Sequence, residues 1–343
     1  MMKSSLFWPV AAIALAILSF TSTFAPPSEE SCAQFLEKRK SLPREGSDSP
    51  VEVKDDSLFC AQNPYVNQLA DDYETIFSRM DAWLEPSAYQ AMIHQAKTNE
   101  TWKDKWNAFT PFESMSSCQP TERVCVGGEC GYDESKITCG LSNLQPGCVV
   151  YSIGGNDQWG FELDLLKKTP CSVHTFDCTG SVSRYHPPQH DRLFFHHVCV
   201  GTEHKDSDPD CDGIGMCGPT WTMLEIQQNL GHKQVDLYKM DIEGFEWPIL
   251  ESWPELAAHK ENKEGSQVAL PMQLLVEVHY RTHFAEVYDL YKPERTLGEP
   301  FKDPDDIVEF QAHLLRMGYI VVERDDNALC PHCSELTLVR VKC

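Results

Sequence analysis

Val149-Val150-Tyr151-Ser152-Ile153-Gly154-Gly155-Asn156 decides how this chain is read. Five strand-forming residues run straight into two glycines, and a helical stretch follows from about Trp159. Glycine lets the backbone turn sharply and lets a ligand approach the main chain closely. The turn lacks the further spaced glycines of a full G-x-G-x-x-G, so alone it is a weak signal. Asp177 strengthens it, because it ends the next predicted strand, 23 positions after Gly154. An acid at about that distance meets the ribose of a nucleotide-type ligand, since one carboxylate accepts protons from both ribose hydroxyls. The plainer alternative is that Asp177 caps a turn.

Working outward, short β-rich runs alternate with helical ones from about Cys118 onward. Strands are predicted at Val149–Ile153, Val173–Asp177, Leu193–Val200, Val235–Asp241, Leu274–His279, Tyr319–Glu323 and Leu336–Val341. Several are continuous apolar runs, as in strands buried on both faces. Helices are predicted at Phe161–Lys168, Thr222–Leu230 and Asp305–Met317, the last with Pro304 at its start and Gly318 past its end. Such alternation implies a doubly wound α/β sheet. The last two strands have no long helix between them, so they pair as an antiparallel hairpin.

Upstream, apolar residues recur at helical spacing from Leu69 through Tyr73, Ile76, Phe77, Met80, Trp83 and Leu84, which predicts a helical subdomain over 65–117. Residues 26–64 are rich in Pro, Ser, Glu, Asp and Lys with no lasting period, and read as a flexible stem. Residues 1–25 carry Lys3 and then an apolar run from Leu6 to Phe20, the pattern of a signal peptide or signal-anchor. Both lead to the secretory lumen, and the membrane is expected to be met only through this segment. All fifteen cysteines follow it, which in an oxidising compartment implies disulfides with an odd thiol left over. Asn99-Glu100-Thr101 is an N-glycosylation sequon. A net charge of −23 with no basic stripe repels phosphates, so no nucleic-acid partner is expected.

Beyond the glycine turn, Phe161-Glu162, His174-Thr175-Phe176-Asp177-Cys178-Thr179 and Lys239-Met240-Asp241-Ile242-Glu243-Gly244-Phe245-Glu246 form a motif series. Together with Asp133–Cys139 and Glu335–Arg340, it resembles the FkbM-related methyltransferase-like family over roughly residues 118–343. The most specific piece is Asp241–Glu246. The resemblance implies a Rossmann-like class I methyltransferase sheet of seven strands, the last antiparallel. It also implies S-adenosylmethionine as cofactor, with Gly154, Gly155, Asn156, Glu162 and Asp177 at its site, and O-methylation as the activity. Composition and spacing alone stop at a nucleotide-type ligand.

Active-site groups in such sheets sit at the carboxyl ends of the parallel strands. One end carries Asp241 and Glu243; another carries Glu277 and His279, with Arg281 and His283 just beyond. An alcohol acceptor needs its proton taken by a base or its pKa lowered by a metal. Asp241 is the first candidate, for catalysis or acceptor binding; the plainer alternative is a carboxylate that caps the following helix. Glu243-Gly244 is read as the turn itself. Glu277 and His279 alternate with Val276 and Val278, so they share a face, as a base or metal pair (with Asp241 they could hold a hard divalent ion) or as a buried Glu–His hydrogen bond. No dedicated metal spacing is present, so no metal is expected.

Three further signals are discounted. Cys330-Pro331-His332-Cys333 sits in a hairpin connection and reads as a structural disulfide rather than a redox site. Asp208–Gly213 begins like a calcium loop but has Pro219 where a bidentate Glu is needed; it reads as an acidic insertion closed by Cys211 and Cys217. His196-His197 point to opposite faces of a strand. The sequence therefore predicts a secretory S-adenosylmethionine-dependent O-methyltransferase acting on a glycan or small-molecule hydroxyl. The rival is a methyltransferase fold kept as a luminal binding or scaffold module. A nicotinamide-dependent oxidoreductase is disfavoured by the terminal hairpin and the Asp241–Glu246 motif.

Overall fold

The structure is a computed structural model and describes residues 60, 62–103, 105–132, 135–207, 211, 215–256, 268–280, 302–327, 330 and 332–343. The expected signal or anchor segment, most of the expected stem, residues 133–134 and 208–210, and Arg281 and His283 lie outside the described residues.

Five parallel strands form the centre of a seven-stranded sheet: β3 (Val149–Ile153), β4 (Ser172–Phe176), β5 (Leu193–His196), β8 (Leu237–Met240) and β9 (Gln273–His279). Two further strands, β10 (Tyr319–Asp325) and β11 (Cys333–Arg340), complete it in the order β10-β11-β9-β8-β3-β4-β5. β11 runs antiparallel to both neighbours, β9 and β10. The chain therefore has the α/β class I methyltransferase sheet that the resemblance implies.

Side chains alternate between the two faces. Val150, Val173, Leu237, Leu275 and Val339 join one core cluster with Leu165 and Leu166 of α3 (Gly160–Lys168). The same cluster takes in Ile76, Met80 and Trp83 of α1 (Tyr73–Leu84) and Ala96 of α2 (Pro86–Thr98). The helical stripe upstream is thus a layer of the main core. Tyr151, Phe176, Tyr238, Leu274, Val276 and Leu338 form the opposite cluster with Ile226 of α4 (Met223–Leu230) and Trp247 and Leu250 of α5 (Glu246–Glu251). α6 (Pro304–Arg316) contributes Val308 and Leu315 to the first cluster and Ile307, Phe310 and Leu314 to the second. Local chemistry fixes the ends: Thr222 and Glu225 make a reciprocal capping box for α4, and Gly231 at φ +72° ends it.

Two details differ from the sequence reading. The expected strand Leu193–Val200 stops at His196. Cys199–Val200 (β6) pairs instead with Thr220–Trp221 (β7), outside the main sheet. The Cys178–Cys199 bridge and the Cys199 N–H bond to the Pro219 carbonyl hold it there. A hairpin of β1 (Arg123–Val126) and β2 (Lys136–Cys139) also precedes the sheet, with the Thr337 hydroxyl of β11 donating to the Ile137 carbonyl at 2.6 Å.

Seven disulfides join fourteen of the fifteen cysteines: 60–343, 118–139, 125–130, 148–171, 178–199, 211–217 and 330–333. Cys32 lies outside the described residues. The last two pairs are those the sequence analysis expected. Among the described residues no helix is long and apolar enough to cross a membrane.

Candidate active site

Two turns meet at the carboxyl ends of β3 and β8. Gly154 stands at φ +82°, and a Cβ built on it would lie 1.9 Å from the Asp241 carbonyl oxygen. Only glycine fits there, on both grounds. Asn156 and Asp157 follow at φ +44° and +61°, so the turn continues through left-handed backbone. The Lys239 ammonium, buried at the end of β8, donates to the Gly154 carbonyl at 2.9 Å and ties the two turns together.

Asp177 stands just past β4, beside the glycine turn. Its Oδ2 accepts the Asn156 N–H at 2.7 Å. Its Oδ1 accepts the Thr179 N–H at 2.9 Å and faces the Tyr185 hydroxyl at 2.6 Å. Glu162 lies beneath the turn. Fully buried, it accepts from Ser152 at 2.7 Å and Thr175 at 3.4 Å, bracing β3 against β4, while its Oε2 has no partner. Burial pushes its carboxyl up, against the opposing pull of Lys239. Of the five expected cofactor residues, Gly154, Gly155 and Asn156 therefore form one turn, Asp177 flanks it, and Glu162 supports it from inside.

The second turn is Asp241–Glu246. Glu243 takes φ +59° and Gly244 φ +106°, so these two residues make the turn. The Glu246 carboxylate, with no exposure, clamps it by accepting the Ile242 N–H at 2.9 Å and the Gly244 N–H at 2.8 Å. A left-handed non-glycine residue stores strain, and such strain gathers at functional sites.

Around this turn lies a cage of charge. Lys136 of β2, 3% exposed, reaches Asp241 Oδ2 at 3.3 Å, Glu277 Oε2 at 3.2 Å and Glu335 Oε1. Burial alone would drive Lys136 neutral, but the three carboxylates raise its pKa well above the ordinary lysine value. Burial likewise opposes the charge on Asp241, yet Lys136, Lys239 and His279 hold that carboxyl well below its usual range. Burial pushes Glu335 well up despite Lys136. His279 Nδ1 lies 3.2 Å from Glu246, and its Nε2 lies 3.6 Å from Glu243 Oε2. Burial disfavours the imidazolium, but Glu246, with Glu277 and Asp241 behind it, raises the pKa to about 10. Burial raises the Glu243 carboxyl although His279 pulls it down.

All four expected catalytic residues thus converge in one cluster. Within it, Asp241 is locked to Lys136, whereas the Glu243 side chain is 43% exposed beside a protonated His279. Asp241, Glu243 and His279 also place potential ligand atoms within 4.8 Å of one another. Glu277 and His279 approach Cys330 and Cys333, but those sulfurs are bonded to each other. Sequence reasoning assigned no role to Lys136, Lys239, Glu246 or Glu335. The partners of Lys136 lie 105, 141 and 199 positions away, so no local spacing announces them.

A sequence profile described as a methyltransferase domain matches residues 73–340. The chain belongs to this methyltransferase family. Two curated relatives are similar over shorter stretches. The probable methyltransferase-like protein 24 of Rattus norvegicus is 32% identical over 106 residues, covering 31% of this chain and 28% of the relative. The protein of that name from Homo sapiens is 30% identical over 124 residues, covering 36% and 32%. The chain thus matches about a third of the length of these relatives. Among solved structures, a Burkholderia thailandensis 1,6-didemethyltoxoflavin-N1-methyltransferase with bound S-adenosylhomocysteine is similar at a TM-score of 0.31 and 12% identity, over 77% of this chain and 90% of that one. A putative methyltransferase in complex with the Haloferax volcanii Trm112 activator gives 0.31 and 12%, over 76% and 97%. The fold assignment for this methyltransferase family member rests on its own strand order, in which the hairpin β10-β11 closes the sheet beside β9.

Proposed function

We propose that the protein is an S-adenosylmethionine-dependent O-methyltransferase of the secretory pathway, acting on a hydroxyl of a glycan or a small molecule. One observation carries this reading. The glycine turn after β3 touches the Asp241–Glu246 turn after β8, with Asp177 flanking the first and Glu243 and His279 flanking the second. A nucleotide-type cradle and an acid–base pair thereby share one edge of the sheet. The finer placement among FkbM-related proteins rests on the Asp241–Glu246 motif. The compartment rests on the disulfides, and in that compartment Asn99 is the place for a glycan. It ends α2 with its Oδ1 accepting from the Thr101 hydroxyl at 2.7 Å.

The residues fit the cofactor in their chemistry: a left-handed glycine turn follows β3, and an acid, Asp177, stands beside it at the ribose position. Gly154, Gly155 and Asn156 would face the cofactor through backbone, and Asp177 would accept from its ribose. When bound, the cofactor supplies an electrophilic methyl group on sulfur. The chain supplies orientation and proton handling. Glu243, raised in pKa and exposed toward solvent, takes the proton of the acceptor hydroxyl. His279 holds its imidazolium charge against Glu243 and steadies the carboxylate between turnovers. Asp241, tied to Lys136, fixes the turn and the local field rather than moving a proton.

The reading is tested by calorimetry on the full chain purified from an oxidising host, with S-adenosylmethionine, S-adenosylhomocysteine and NADH as ligands. Micromolar binding of the first two, about −8 kcal/mol, lost in Asp177→Ala, is the expected result. Binding of NADH alone, or of none of the three by folded protein, refutes it. One observation favours the rival binding-module reading: both oxygens of Asp177 are already engaged within the protein.

A further inference from the structure

The segment after Asp177 lies across the glycine turn, and three consecutive residues grip it. Arg184 Nη2 donates to Asn156 Oδ1. The Tyr185 hydroxyl faces Asp177 Oδ1 at 2.6 Å and the Thr179 carbonyl at 2.7 Å. The His186 N–H donates to Asp157 Oδ1 at 2.6 Å, and its ring Nδ1 lies 3.1 Å from Asp157 Oδ2. The clasp is anchored rather than loose. Cys178 is bridged to Cys199, Gly180 donates to the Gly215 carbonyl at 2.6 Å, and the Arg184 guanidinium lies over the Tyr185 ring, 5.0 Å from its centroid.

A carboxylate oxygen accepts two good hydrogen bonds in its plane. At Asp177 Oδ1 these come from Thr179 and Tyr185. Oδ2 accepts only the Asn156 N–H and has a site to spare, so a ribose that gives one hydroxyl to each oxygen takes the place of the tyrosine proton at Oδ1. We propose that Tyr185 competes with the cofactor ribose for Asp177, so that the Arg184–His186 clasp is the closed state of the cofactor site and opens when cofactor enters. The inference rests on the cofactor reading above. It also reconciles an occupied Asp177 with a binding site: the closed clasp lowers the apparent affinity by the fraction of molecules that are open. The Tyr185 hydroxyl has a second acceptor in the Thr179 carbonyl, so it can swing its proton there when the ribose arrives.

The sign of the effect separates this role from a structural one. A residue that merely supports the site weakens binding when altered, whereas a competitor strengthens it when removed. The experiment measures S-adenosylmethionine binding by calorimetry on the full chain, for wild type, Tyr185→Phe and Arg184→Ala. Thermal melts of the ligand-free proteins establish that each is folded. Arg184 is half-buried and grips Asn156 rather than Asp177, so its removal serves if Tyr185→Phe fails to fold. Either variant is expected to bind about tenfold more tightly, equivalent to about 1.4 kcal/mol. Amide exchange at His186 is expected to speed up when wild type binds cofactor. Wild type that binds while the folded variants bind equally or more weakly overturns the competition and leaves the cofactor reading intact. Failure of wild type and of both variants to bind overturns the cofactor reading and the inference with it.

Discussion

Replacing Lys136 with methionine removes the one cation that, among the described residues, touches Asp241, Glu277 and Glu335 together, and keeps the length of the side chain. Lys136 and Glu277 are 3% and 6% exposed at their side chains, and Glu335 is 13% exposed, so water cannot take the place of the ammonium. Removing one partner of a buried ion pair costs about 3–5 kcal/mol, because the remaining charge stays buried without compensation. Here one carboxyl can escape the penalty. Glu335 already has a raised pKa and becomes a neutral acid once Lys136 is gone. We therefore expect the lower half of that range, about 3–4 kcal/mol, or a melting temperature lower by roughly 5–8 °C for a domain of this size. The assay is urea unfolding with the disulfides intact, followed by tryptophan fluorescence. Adding Glu335→Gln to Lys136→Met is expected to change little further, since that acid is already neutral. The pH dependence supplies a second check. Asp241 has a depressed folded pKa, so its contribution is present above the unfolded carboxylate value near 3.9 and fades as pH falls through the folded value. The gap between wild type and Lys136→Met should narrow below about pH 4. A loss under about 1 kcal/mol at pH 7, the scale of a surface ion pair, would falsify the buried-cage account.

Two other outcomes follow from the geometry. His174 stacks against Phe194 and His196 of β5, and burial, helped by His232 and His196, lowers its pKa from 6.5 to about 3. A depressed histidine contributes stability above its unfolded pKa and loses it as pH falls, so wild type should weaken by about 2 kcal/mol between pH 7 and pH 5; His174→Phe should flatten that slope in denaturation series, and an equal slope in both proteins counts against the assignment. Gly154→Ala places a methyl against the Asp241 carbonyl at a positive φ, so it should cost about 1–3 kcal/mol of stability and weaken cofactor binding at least about tenfold. Gly155→Ala meets only the Thr175 methyl and should be milder in the same melting and calorimetric measurements.

The order of elements was legible because buried parallel strands write themselves as apolar runs. Val149–Ile153 and Leu274–His279 could be placed from that alone, and Gly318 marked the end of α6. The strand Leu193–Val200 was read too long because its apolar pattern continues through Val198–Val200, while a disulfide from Cys178 diverts the backbone at Cys199. The short helix Glu246–Glu251 escaped notice because Pro248 and two acids obscure its period. Asp241, Glu243, Glu277 and His279 were legible as strand-end polar groups. Their division of labour was not, since it depends on Lys136 arriving from an outlying hairpin and on Glu246 turning back beneath its own motif. Glu162 was grouped with the cofactor by motif, whereas its burial between Ser152 and Thr175 makes it a brace. Tyr185 sits in a stretch with no periodicity at all, and only the folded chain brings it to Asp177.

The position of β11 bears on the order of assembly. It is made after β10 yet lies between β10 and β9, so β9 can pair with β8 early, but β10 joins the sheet only once β11 threads between it and β9. Until then β9 presents an open edge, a common route to mispairing. The same strand carries Glu335 to Lys136. The last step that closes the sheet is therefore also the step that completes the charge cage, and a chain arrested before it would hold a formed glycine turn beside an unfinished acid–base cluster.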